Sequence, residues 1–179
     1  MPGQAGEGRP TVAGVAGGVG TTTVATAIDG RDRGLFVGRP VDVLVCHATG
    51  ESLVRCGRAA QIVRSLTGAG PLVVVSPLDA HGPSRPMASR IRLLEPHTCG
   101  VLVLPYVRRW REVAVPLDEV RDLLRLAPTD LARPLRRYAA AAAQVRAALD
   151  LRSPTPARPA RPSRAGLPSH LRTHHTRSR

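Results

Sequence analysis

The segment Ala13-Gly14-Val15-Ala16-Gly17-Gly18-Val19-Gly20-Thr21-Thr22-Thr23 combines four glycines with three consecutive hydroxyl side chains. Glycines at this density let backbone N–H groups converge on one point, and a helix starting within the threonines adds its positive end. The chemistry this favours is capture of an anion such as phosphate by the main chain. The usual accompanying ammonium is missing, because all 26 basic residues of the chain are arginine. A cation for such a cradle has to be a guanidinium from elsewhere. Arg108-Arg109-Trp110-Arg111 places three of them beside an indole that could stack on a base. The same residues also make an ordinary edge, with Trp110 capping the core and the arginines in solvent, and the sequence leaves both readings open. His47 and Asp79 follow apolar runs too, where a polar residue either caps a loop or joins a site. His170, His174 and His175 have the spacing of metal ligands on a helix, but Pro168 and the arginine-rich surroundings deny them a rigid frame.

These residues need a frame that brings them to one edge. Four apolar runs, Thr11 to Ala16, Val41 to Cys46, Pro71 to Ser76 and Gly100 to Pro105, are too short for helices. Helical patterns separate them. Thr21 to Ile28 follows the glycine turn, and a helix from about Glu51 to Leu66 carries Leu53, Cys56, Ala60 and Val63 on one face. Ser84 and Pro86 start another, which continues through Met87, Ile91 and Leu94 and closes at Pro96. After Pro116, Leu117, Val120 and Leu124 line up, and a last helix from about Thr129 carries Leu131, Leu135, Tyr138, Ala142, Val145 and Leu149. Strands alternating with helices predict the α/β class: an open, mostly parallel sheet of about four to five strands with helices on both faces. The glycine turn and the arginines both follow strands, at the carboxyl edge where such sheets bind ligands.

A chain of 179 residues is long enough for one domain with a full core. That domain is predicted over residues 10–150, between a disordered 1–9 and a disordered Arg/Pro-rich tail, 151–179. The net charge of +13 divides unevenly: residues 1–150 hold 19 arginines against all 13 acids, while the tail holds seven arginines and no acid. Such a tail favours nonspecific, salt-sensitive binding to DNA or another polyanion. With Phe36, Tyr106, Trp110 and Tyr138 the only aromatics, sequence-specific stacking on single strands has little to work with. The absence of Asn and the rarity of Ile suggest a GC-rich genome, so part of the arginine content is codon bias. Cys46, Cys56 and Cys99 are odd in number and widely spaced, which fits buried free thiols in a reducing cytosol rather than disulfides or zinc. No charged start leads into an apolar segment, and no apolar run reaches the ~18 residues of a membrane span. The expectation is a cytoplasmic protein without a transmembrane segment.

GVAGGVGTTTVATA resembles the KGGVGKTT loop of the ParA/MinD group of P-loop ATPases, with both lysines replaced. Ala16 takes the position of the signature lysine and Thr21 that of the lysine in G-x-x-x-x-G-K-[ST], while Val15 replaces the first glycine of that pattern. Gly17, Gly18 and Gly20 keep the turn, and Thr22 stands where the family ligates magnesium. The resemblance implies ATP or ADP held by Gly17, Gly18, Val19, Gly20, Thr21, Thr22 and Thr23, with magnesium on Thr22 when nucleotide binds. It also implies a truncated P-loop NTPase-like fold over about Thr11 to Val115. DVLVCHATGESLVRCGRAAQIV is similar to a later strand and helix of that family, and PLVVVSPLDAHGPSR to the next strand, with Ser76 or Pro77 where the family carries a base-recognising Asn. VLVLPYVRRWREVAVPL is similar to its I-P-x-D segment, with Val107 in place of the acid. If the second run is set instead on the family's switch strand, the expected Asp falls on Cys46 or His47. Through Gly14, Gly18 and Gly20 the loop also resembles the T-G-x-x-x-G-x-G turn of short-chain dehydrogenases, which implies an NAD(P)-binding fold. Their Tyr-x-x-x-Lys pair cannot occur here, and Asp42 opens the second strand where their cofactor-selecting acid ends it.

Loss of the two lysines and the switch acid removes charge neutralisation, dimer contact and water positioning together. The expectation is therefore a degenerate, non-hydrolysing pseudo-ATPase with at most weak nucleotide binding, acting as a regulatory or scaffolding accessory protein. It would bind an unknown protein partner, is compatible with a homodimer, and could draw a phosphate cation from Arg108, Arg109 or Arg111. By analogy such proteins accompany plasmid transfer, partition or pilus assembly. One alternative is a nucleic-acid-associated accessory protein that binds through the basic tail. A second is an NAD(P) binder without catalytic residues.

Overall fold

Every apolar run becomes a strand, and one strand without an apolar run joins them. A computed structural model describes residues 8–152. The strands are β1 (Thr11–Gly14), β2 (Arg31–Leu35), β3 (Val43–His47), β4 (Leu72–Ser76) and β5 (Gly100–Val103). They form one sheet in the order β2-β1-β3-β4-β5, every neighbouring pair parallel. The helices are α1 (Thr21–Ala27), α2 (Gly50–Thr67), α3 (Arg85–Arg92), α4 (Pro116–Asp122) and α5 (Arg133–Asp150).

Side chains alternate between the two faces of the sheet, and each face meets helices. Val43, Val45, Leu72 and Val74 pack with Val24 of α1, Val120 of α4 and Val145 of α5. Leu44, Cys46, Val73 and Val75 pack instead with Leu53, Cys56, Ala60 and Val63 of α2 and with Ile91 of α3. Burial on both sides is why these strands read as unbroken apolar runs. Thr49 caps α2 by accepting the Ser52 N–H at 3.3 Å, and Gly68 ends it in a left-handed conformation. Proline at the first turn opens α3, α4 and α5. Pro134 in that position makes α5 start at Arg133, later than the stripe from Thr129 suggested.

The strand that hydrophobic periodicity missed is β2, whose residues Arg31-Asp32-Arg33-Gly34-Leu35 are all exposed. An edge strand has no second neighbour to bury it, and its charges blunt the open edge. From β2 the chain returns to β3 through residues 36–42 without a helix. Phe36 donates its N–H to the Gly14 carbonyl at 2.8 Å and packs on the α2 side of the sheet. Asp42 then staples β3 to β1, its carboxylate accepting the Thr11 N–H at 2.8 Å and the Thr11 hydroxyl at 2.7 Å.

Arg152 fastens the end of α5 to the amino-terminal edge of the sheet, donating to the Gly70 carbonyl at 2.8 Å and the Asp42 carbonyl at 3.4 Å. Residues 1–7 and 153–179 lie outside the described part, and with them most of the two segments expected to be disordered, most of the tail expected to bind DNA, and His170, His174 and His175. No helix among the described residues is long and apolar enough to cross a membrane.

Two of the three cysteines are buried as expected, Cys46 and Cys56, but Cys99 is exposed. It lies at the edge strand's entry, where only one neighbour covers it. The hydrogen bond with Cys56, and then burial, push the Cys46 thiol far above its ordinary range. Burial also raises Cys99, though the nearby Arg152 opposes the shift.

Two measurements follow from this packing. A methyl group on Gly70 would collide with the His97 carbonyl oxygen and lie 2.7 Å from Cα of Thr98, and these main-chain atoms cannot rotate away. Gly70→Ala should therefore cost about 1–3 kcal/mol, read as a lower urea midpoint; an unchanged midpoint would disprove the close approach. A thiol reagent at pH 8 should label Cys99 alone in the native protein and all three cysteines in urea. Native labelling of Cys46 would contradict its burial.

Candidate functional site at the glycine loop

The loop leaves the sheet at Gly14, where there is no room for a side chain. A Cβ there would collide with the Thr21 hydroxyl oxygen and lie 2.8 Å from a methyl carbon of Val19. Thr21, in the position where a lysine would reach outward, is thus packed under the loop. Val19 is 1% exposed and plugs the core beside Val12 and Val24. At both positions only the main chain is left to meet a ligand. Gly18 (φ 74°) and Gly20 (φ 89°) take left-handed conformations that turn the chain back into α1. Gly20 caps that helix with no side chain of its own, so the first-turn N–H groups have no capping side chain.

Thr22 points elsewhere. Its hydroxyl donates to Asp32 Oδ2 at 2.6 Å, and Asp32 Oδ1 accepts the Gly34 N–H at 2.7 Å, both on the exposed β2 flank. Sequence reading passed over Asp32 because β2 has no apolar pattern. The available signal was the Asp-x-Gly turn of Asp32 and Gly34.

His47, at the end of β3, holds the loop from the other side. Its Nε2 lies 3.1 Å from the Gly18 carbonyl and its Nδ1 3.3 Å from the Ser76 carbonyl, while its own N–H donates to Ser52 Oγ at 2.9 Å. Carbonyl oxygens only accept, so a neutral imidazole satisfies one of the two and an imidazolium satisfies both. As an imidazolium the side chain would tie the glycine loop to the tip of β4, and as a neutral ring it holds one of the two.

Between the loop and the segment after β5 opens a cavity of about 180 Å³. Gly18, Val19, Gly20, Thr23, His47, Ser76 and Pro77 form one side, and Tyr106, Trp110, Arg111 and Tyr138 the other. Of the predicted site residues, this brings together Gly18, Val19, Gly20, Thr23, Trp110 and Arg111. Gly17, Thr21, Thr22, Arg108 and Arg109 do not line it. The 3-10 turn Arg108–Arg111 explains the division among the arginines. Arg108 pairs with Glu112 at 3.3 Å and Arg109 with Glu119 at 2.5 Å, both drawn outward. Arg111 stays at the cavity, donating to the Leu78 carbonyl at 3.2 Å with its guanidinium 5.5 Å above the Tyr106 ring. Trp110 meets Tyr138 edge to face, with centroids 4.6 Å apart. The indole N–H is buried and has no acceptor among the described residues. Burial raises the Tyr138 phenol above its usual range, so it is neutral at physiological pH.

A larger cavity, about 660 Å³, opens at the amino-terminal edge around Arg9, Asp29, Asp42, Arg146 and Arg152. Four of its charged residues are engaged within the fold: Arg9 pairs with Asp29 at 3.0 Å, and Asp42 and Arg152 make the contacts given above. It is also remote from the strand ends that present ligand groups in such sheets.

The smaller cavity suits a phosphate group, with left-handed glycines on one side and a guanidinium on the other. It does not suit magnesium, because no carboxylate lines it and the Thr22 hydroxyl is turned to Asp32 outside it. Among the described residues no group of three or more His, Cys, Asp or Glu could hold a metal ion. Searches against protein-family profiles, curated proteins and solved structures find no match to this chain. What the coordinates define is an α/β protein with an open, all-parallel five-stranded sheet and a glycine loop at its carboxyl edge.

Removing the imidazole tests the tether. A hydrogen bond contributes about 0.5–1.5 kcal/mol, so His47→Ala should raise amide exchange at Gly18 to Gly20 roughly twofold to tenfold. Exchange equal to the parent's would mean that buried Val19 alone holds the loop.

Proposed function

We propose that this chain is a degenerate relative of the ParA/MinD P-loop ATPases that binds phosphate-bearing ligands weakly and does not hydrolyse them, acting as a regulatory or scaffolding accessory protein. The observation that carries the reading is a glycine-loop cavity with one guanidinium, Arg111, and no carboxylate. Phosphoryl transfer to water needs a group that orients the water and a metal or cation that neutralises the developing charge. A lone arginine supports holding an anion, and the cavity wall offers no carboxylate to act on a water.

Its size supports weak binding as well. Sites for drug-sized ligands enclose roughly 300–1,000 Å³, whereas this one holds about 180 Å³. A terminal phosphate fits, and the sugar and base of a nucleotide would lie over the open rim with few contacts. Such a protein would respond to nucleotide and pass the response to a protein partner. The nucleic-acid reading depends on the arginines of the tail, 151–179, of which all but Arg152 lie outside the described part.

Calorimetric titration of the full chain with ATP, ADP and NAD, with and without magnesium, tests this. ATP and ADP should bind in the high-micromolar to millimolar range, independently of magnesium, with no phosphate release. Gly20→Val should abolish binding, because Gly20 has φ 89° and a Cβ there already lies 3.4 Å from Ser76 Oγ. ATP turnover that is lost in Gly20→Val would overturn the non-hydrolysing assignment. Absence of nucleotide binding, together with DNA retention that depends on residues 153–179, would favour the nucleic-acid reading instead.

A further inference from the structure

We infer that the cavity beside the glycine loop is a site for a small aromatic anion, one ring carrying a carboxylate or phosphate within a bond or two. The inference rests on the loop acting as an anion cradle, as proposed above, but names a ligand shorter than a nucleotide.

The distribution of aromatic residues carries it. The chain has four, and Tyr106, Trp110 and Tyr138 line this single cavity. The fourth, Phe36, packs on the opposite face of the sheet. Tyr138 belongs to the core and Trp110 packs against it, while the rest of the core is built from Val, Leu, Ile and Ala, with two Cys. Aromatic walls recognise a flat ring through edge and face contacts.

The guanidinium in the same wall is only partly used. Arg111 donates to the Leu78 carbonyl through one nitrogen, and a guanidinium carries five N–H donors in a planar fork suited to carboxylate or phosphate. No acidic side chain lines the cavity to repel an anion.

Size and position narrow the ligand. A cavity of about 150 Å³ accepts benzene, so the 180 Å³ here takes one ring with its substituent. The glycines and the aromatic side chains bound the same space, so the charged group and the ring must be nearly adjacent. In a nucleotide, a ribose and further phosphates separate the base from the terminal phosphate, and the two could not both be seated.

Trp110 is the only tryptophan, so its fluorescence reports directly on this wall. The full chain would be titrated with phenyl phosphate, benzoate, inorganic phosphate and ATP, followed by Trp110 emission and by thermal shift. Phenyl phosphate should bind at least tenfold more tightly than inorganic phosphate and change the Trp110 emission. Arg111→Gln should weaken it at least tenfold while keeping the parent's melting temperature and circular dichroism, and Arg121→Gln on α4 should leave binding unchanged. Equal affinity for phenyl phosphate and inorganic phosphate would overturn the inference, since the ring would then contribute nothing. Binding of ATP without phenyl phosphate would overturn it while leaving the nucleotide reading intact. Failure of all four probes to bind would overturn both.

Discussion

The shape of the site depends on one packing constraint, the burial of Val19 beneath its own loop. A glycine-rich turn has little intrinsic preference for any one conformation, because its residues reach both halves of backbone space. Anchoring an apolar side chain in the core between Val12 and Val24 removes that freedom at a single point. Gly14 permits the approach by having no side chain, and Thr21 fills the space beside it. Gly18 and Gly20 then supply the left-handed turns on either side of the anchor. His47 adds a polar tether to the hydrophobic one, its ring nitrogens meeting the Gly18 and Ser76 carbonyls, both at once only as an imidazolium. The main-chain groups of the loop that could face a ligand are positioned from this fixed stretch.

Charge is distributed around the site by pairing. Arginines outnumber acids two to one in the whole chain, yet near the loop only Arg111 reaches the cavity. Glu112 and Glu119 draw Arg108 and Arg109 outward, and Asp32 takes the Thr22 hydroxyl on the β2 flank. The Arg108–Glu112 pair is exposed and contributes little to stability, whereas the Glu119 side chain is only 18% exposed. The consequence of these contacts is geometric, because they decide which guanidinium is left at the cavity and keep every carboxylate away from it. On the function proposed above, such a site would hold an anion without transforming it.

Much of the frame was legible in the residues. The four apolar runs became β1, β3, β4 and β5; β1, β3 and β4 are apolar because both faces are covered, while the edge strand β5 is only half-buried. The periodic helix faces were correct for α2 and α5, where Leu53, Cys56, Ala60 and Val63, and then Leu135, Tyr138, Ala142, Val145 and Leu149, are buried. β2 was illegible because its one neighbour, β1, supplies main-chain hydrogen bonds, which leave no trace in side-chain type. Cys99 was misplaced for a related reason: a cysteine looks alike in sequence whether it enters a central strand or an edge one. The loop was visible as a glycine cluster, but not the inward packing of Thr21 or the diversion of Thr22 to Asp32.

The sequence by itself determined the class of fold, the place of the glycine loop at a strand's carboxyl end, and the absence of lysine from any chemistry done there. These follow from local composition and periodicity, which neighbouring residues carry. Only the tertiary structure decided that Tyr138, Trp110, Arg111 and His47 share one cavity with Gly18 and Gly20, and that Arg108 and Arg109 do not. Those residues lie far apart along the chain and meet because parallel crossovers return each strand end to the same edge of the sheet. Which side chain turns toward that edge is set by the partner it finds on the way, a long-range contact that no local pattern encodes.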